Sequence, residues 1–162
     1  MKNKLVGYCF LASIIMSCQE DDIGYNLDTE FRFEMHNTNG ESLLNPANSD
    51  AFEAHQIDIY YLIEGEKRKV YNGNYDLPEN FSIGVDELTD RYVMTLGPNE
   101  NPNESTSITF IEWNEDDIDT VACEFAIGKH YMVTTRITYN SQEVWSVNGA
   151  NYPERRYFTI TK

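Results

Sequence analysis

In this 162-residue chain the side chains suited to soft-metal or thiol chemistry are few: His36, His55 and His130, and Cys9, Cys18 and Cys123. The histidines are far apart, and no His-x-x-x-His or paired cysteines set a zinc geometry, so no metal site is assigned. Cys123 has His130 seven residues on, but it alternates in phase with Val121, Phe125 and Ile127. A reactive thiol needs a polar, electropositive setting, so this pattern predicts a buried, inert cysteine. Oxygen ligands are denser. Glu115, Asp116, Asp117 and Asp119, with Glu112 just before them, form a calcium candidate on a connecting segment. The spacing is not that of an EF-hand, and a chain with 27 acidic residues forms such clusters by chance. Glycoside hydrolysis needs two carboxylates roughly 5 Å or 6.5–9.5 Å apart. Carboxylates are so numerous here that the sequence selects no pair. Neither a Gly-x-Ser-x-Gly elbow nor a phosphate-cradling glycine loop is present, so no catalytic residue and no cofactor are assigned. Aromatic side chains are the remaining candidates. Trp113 and Tyr152 fall in polar connecting segments at 113–119 and 148–156, where recognition usually sits, and are candidate binding residues. Trp145, inside a strand pattern, reads as core.

Cys18 has the most defined chemical setting. Lys2 and Lys4 precede an uncharged, mostly apolar run of twelve residues from Leu5 to Met16, which ends at Ser17-Cys18. The run suits the h-region of an export signal, whereas spanning a bilayer takes about 20 apolar residues. A small residue before cysteine resembles a bacterial lipobox, although Met16 is looser than the usual small or aliphatic residue. The match implies that residues 1–17 are removed and that the Cys18 thiol takes a lipid, the only covalent group expected. Two or three acyl chains hold a protein stably at a membrane.

The chain from Cys18 to Lys162 has 145 residues, one domain's length. Loss of Lys2 and Lys4 takes the formal charge from −15 to −17. So acidic a surface repels phosphate backbones, which argues against a nucleic-acid partner. With Cys9 removed and Cys18 acylated, Cys123 has no disulfide partner, and the domain stands on its core alone. Residues 18–29 read as an acidic tether, and 30–162 as the folded domain.

Within that domain the period is two. Inward and outward residues alternate at 57–64, 120–127 and 131–139, with shorter runs at 31–37, 67–71, 81–85, 91–96, 107–112, 143–147 and 157–161. Polar turn residues separate them, and helix is limited to single turns at 49–55 and 85–91. About ten short strands predict an all-β, antiparallel β-sandwich, immunoglobulin-like or transthyretin-like. The segments from Asn39 to Pro46, from Ile57 to Leu62, and from Cys123 through Trp145 to Ile160, together with the lipobox, look like small uncharacterised surface lipoproteins of the Bacteroidetes type. That resemblance implies a β-sandwich held at the outer membrane by lipid. It also makes Gln19, Glu20, Asp21 and Asp22 a candidate signal for export to the cell surface, against the plainer reading of a solvated spacer. It implies no activity. The expectation is a non-enzymatic binding or structural role toward a protein or glycan partner, the alternative being a glycan hydrolase using a carboxylate pair.

Overall fold

The computed structural model describes residues 24–74, 76–149 and 155–162. Cys18, residues 19–22 and Tyr152 lie outside the described residues. Eleven strands appear in order: β1 (Asn26–Asp28), β2 (Phe31–His36), β3 (Asp58–Ile63), β4 (Glu66–Lys69), β5 (Phe81–Asp86), β6 (Arg91–Leu96), β7 (Thr106–Asn114), β8 (Asp117–Gly128), β9 (Tyr131–Tyr139), β10 (Gln142–Ser146) and β11 (Tyr157–Thr161). One 3-10 turn, Ala54–Gln56, is the sole helical element among the described residues. No described helix is long and apolar enough to cross a membrane.

The strands form two sheets that pack face to face as an all-β sandwich. The larger has the order β1-β9-β8-β7-β3-β4, with β10 also on β9, and the smaller has the order β11-β2-β6-β5. β1 and β10 share one edge of β9: β1 lies along Tyr131–Val133 and β10 along Arg136–Tyr139. Pairing is antiparallel except at β1 with β9 and β11 with β2, so both sheets are mixed. The two parallel pairs tie in the first and last strands of the chain. Tight hairpins do the rest. Between β3 and β4, Glu64 and Gly65 both have positive φ (53° and 82°), the backbone of a two-residue turn matched to strand twist. Asn140 and Ser141 (46° and 68°) do the same between β9 and β10 without a glycine.

The core lies between the sheets. Phe31, Phe33 and Met35 of β2, Met94 and Leu96 of β6 and Phe158 of β11 face Ile59, Ile111, Val121, Cys123, Ile137 and Tyr139 of the larger sheet. Phe33 stacks on Phe158 at 5.5 Å and meets Trp113 and Tyr139 edge-on at 6.4 and 5.9 Å. Cys123 is buried, and burial pushes its thiol pKa up to about 12.

Three expectations change. The tether read as open through Thr29 joins the larger sheet at Asn26, and Thr29 is buried. The connection read at 113–119 shrinks to Glu115 and Asp116, because β7 runs on to Asn114 and β8 begins at Asp117. Trp113 is therefore a strand residue in phase with Ile111. It is 1% exposed, stacked on Phe52 at 4.6 Å, and cannot anchor a partner.

Candidate functional site

Successive residues of a strand face opposite sides of a sheet. Burying Phe31, Phe33 and Met35 therefore turns Arg32, Glu34 and His36 onto the outer face of the smaller sheet. Register fills in the rest of that face. From β11, Tyr157, Thr159 and Thr161 lie beside Arg32, Glu34 and His36. From β6, Thr95 lies beside Arg32, and from β5, Ser82, Gly84 and Asp86 lie beside Thr95, Val93 and Arg91.

Two carboxylates on this face are almost closed off from water, Glu34 and Asp86, each 3% exposed. A buried charge persists only if it is hydrogen-bonded and paired, and both are. Glu34 accepts hydrogen bonds from the Tyr157 hydroxyl, from His36 Nε2 at 2.8 Å and from Arg91 Nη1 at 3.1 Å. Burial alone raises its pKa. The bonds from Tyr157, His36 and Arg91 together outweigh that and hold the carboxyl below its usual value. Asp86 accepts from the backbone amides of Leu88 and Thr89 at 3.0 and 3.1 Å, which fold the segment after β5 back onto it. It also accepts from Arg32 Nη1 at 2.9 Å, with Arg155 Nη1 at 3.5 Å. Here too burial raises the pKa, and the Leu88 amide, Arg32, Thr89 and Arg155 bring it below the ordinary range.

The buried carboxylates order three arginines at the surface. Arg32, Arg91 and Arg155 reach them through Nη1, while 45%, 62% and 52% of their side chains stay exposed. Two depressions lie on the same face, and a third lies at its edge beside the β1–β2 connection. A central groove of about 470 Å³ runs between Arg32 and Arg155 over Gly84, Val93, Ser82 and Thr95, with Glu87 on its wall. A second, of about 430 Å³, lies where Glu34, His36, Asp90, Arg91 and Tyr92 meet the Gly40–Ser42 turn. A third, of about 280 Å³, is bounded by Arg155, Arg156 and Tyr157. Gly84 opens the floor of the central groove: a Cβ there would meet no atom within 4 Å. Val93 supplies a buried apolar patch beneath it.

This face offers planar guanidinium donors, ionised acceptors and hydroxyls, side by side in shallow grooves. Glu34, Asp86 and Asp119, the described carboxyls with a resolved shift, are all held below their usual pKa. None is set as a proton donor at neutral pH, which the acid of a hydrolase pair must be.

The four carboxylates of the calcium candidate are divided between the core and the turn. Asp119 turns inward and accepts from Trp113 Nε1 (2.7 Å), Tyr139 Oη (2.6 Å) and Asn140 Nδ2 (2.6 Å). Lys162 Nζ bridges Asp119 and Asp117. Glu115 and Asp116 stay in the turn, and among the described residues no three His, Cys, Asp or Glu side chains are grouped to hold a metal. His36 belongs to the Glu34 network, His55 sits 3.4 Å from Glu53, and His130 lies at the β8–β9 turn. The outer face of the larger sheet carries an aromatic pair. There Tyr60 sits opposite Phe110 under the Lys67 ammonium, 4.3 and 5.3 Å from the ring centres.

The chain matches no protein-family model, no curated protein and no solved structure.

The sequence reading passed over Arg32, Glu34, Asp86, Arg91 and Arg155. Part of the signal was local: charges at 32, 34 and 36 alternate with Phe31, Phe33 and Met35. The rest depended on the sheet order.

Proposed function

We propose that this chain is an outer-membrane lipoprotein, anchored through Cys18 and exposed at the cell surface, whose sandwich binds rather than catalyses. The binding surface is the grooved outer face of the smaller sheet, and its ligand is a polar, hydroxyl-rich chain such as a glycan. The observation that carries this reading is the ordering of Arg32, Arg91 and Arg155 by the buried Glu34 and Asp86. Pre-fixed guanidinium and carboxylate groups bind with little further loss of side-chain entropy. Such groups bond paired hydroxyls from both sides of the groove. Glu34 and Asp86, held ionised, serve on this face as hydrogen-bond acceptors rather than as the acid of a hydrolase pair.

The anchor is tested by metabolic labelling with an alkynyl fatty acid, which marks the native chain and not Cys18→Ala. The binding face is tested on a polysaccharide array with the native protein and Gly84→Trp. A Cβ at Gly84 meets no atom within 4 Å, so the substitution starts without a clash and sets the indole over the groove. A glycan held by the native protein and bound about tenfold or more weakly by Gly84→Trp and by Arg91→Ala supports the reading. Binding unchanged in both variants overturns it, and turnover of the glycan places the hydrolase first.

A further inference from the structure

We infer that one corner of the sandwich, built by the start of β1 and the β8–β9 turn, rests on the bilayer that carries the anchor and fixes which way the domain points. The inference builds on the proposed lipid at Cys18. Strand β1 enters the fold at this corner: Asn26 is in register with Tyr131, and its amide donates to the His130 carbonyl at 2.8 Å. Only six residue steps separate Cys18 from Gly24, at most about 20 Å of extended chain. The corner therefore cannot leave the neighbourhood of the headgroups.

Its surface chemistry suits that position. Nine large hydrophobic side chains are exposed among the described residues, and three lie here: Tyr25, Leu27 and Tyr131. Tyr25 and Leu27 are 43% and 49% exposed, and Tyr131 is 45% exposed. Tyrosine, with an apolar ring and a polar tip, favours the membrane–water interface. Lys129, exposed in the β8–β9 turn, adds an ammonium on a long apolar stem that reaches phosphate. The net charge, −17 once Lys2 and Lys4 are removed, opposes broad adsorption to anionic lipid, so the contact orients an anchored protein rather than recruiting a free one.

The opposite end carries the Glu115-Asp116 and Asn140-Ser141 turns, because β7 and β9 run away from the anchored corner. Arg91 and Asp86 lie toward that distal end, as antiparallel register with β2 places the start of β6 and the end of β5 there. The grooved face is thereby held out into the medium.

The test uses the acylated protein purified from membranes and reconstituted in phosphatidylcholine vesicles. Cys123 is buried, so a cysteine introduced in Lys129→Cys or Leu88→Cys takes a fluorescent label selectively. Leu88, 72% exposed after β5, reports on the distal end. A lipid with a nitroxide headgroup should quench the label at 129 several-fold more than the label at 88. Tyr25→Ser, Leu27→Ser and Tyr131→Ser together should reduce the quenching at 129 while the protein still floats with the vesicles. Equal quenching at both positions, or stronger quenching at 88, overturns the orientation and leaves the anchor standing. Failure of the protein to float with vesicles overturns the anchor and the orientation with it.

Discussion

Removing the Asp119 carboxylate should cost more stability than any other single polar change in the larger sheet. The side chain is 4% exposed and gathers the Trp113 indole, the Tyr139 hydroxyl, the Asn140 amide and the Lys162 ammonium. In Asp119→Ala the buried Trp113 N–H and Tyr139 O–H lose their acceptor, at about 1–3 kcal/mol each. Asn140 and Lys162 stand nearer to water and add less. The expected loss is about 3–5 kcal/mol, in the range for one partner removed from a buried charged network. With a urea slope of about 2 kcal/mol/M, the midpoint falls by roughly 2 M. Tyr139 must also show the effect, since its hydroxyl pKa is raised by burial and then by the Asp119 carboxylate. Urea titration followed by tryptophan fluorescence measures the loss, because Trp113 touches the mutated site. Destabilisation under about 1 kcal/mol would mean that Asp119 is not the acceptor for these groups.

Three further outcomes follow from the same contacts. Cys123 should react with a water-soluble disulfide reagent only after denaturation, since burial disfavours its thiolate; rapid native-state reaction contradicts its placement. Ser141 holds φ at 68°, so Ser141→Gly should raise stability by about 0.5–1 kcal/mol, read by urea titration, with Ser141→Val lowering it. Glu34 and Asp119 have native pKa values below their model-compound values of 4.5 and 3.8. As pH falls the unfolded chain therefore takes up protons first. Their stabilisation is complete above the ordinary carboxylate range and is lost as pH drops through the lower native values. Melting temperature should be flat from pH 7 to 5 and fall below 4, less steeply in Glu34→Gln; a fall between 7 and 5 refutes this assignment.

The sandwich was legible because most strands expose a period of two. Arg91–Leu96, Tyr131–Tyr139 and Tyr157–Thr161 coincide with their expected ranges, β8 begins three residues early, β1 had been read as tether, and the other strands differ by one or two residues at an end. β7 was cut short because its inward positions begin with Ser107 and Thr109, which look solvent-facing. Only Ile111 and Trp113 then reveal the phase, and the acidic residues after Trp113 suggested a loop. The inward turn of Asp119 had a signal, since it lies two residues before Val121 and four before Cys123. A strand read back by one more pair would have placed it inside and predicted its partners. The grooved face was beyond local reading. Asp86 meets Arg32 and Arg155 only because β5, β6, β2 and β11 are neighbours, and parallel pairing across more than a hundred residues carries no short-range pattern.

The central claim is that the outer face of the smaller sheet is the recognition surface. It is tested most directly by mapping amide chemical-shift changes in the isotopically labelled protein as a glycan identified on the array is added. The account predicts shifts at Ser82, Gly84, Arg91 and Thr95, with the outer face of β3 and β7 silent. Shifts centred on Tyr60 and Phe110, with the β5 and β6 amides unmoved, would contradict it.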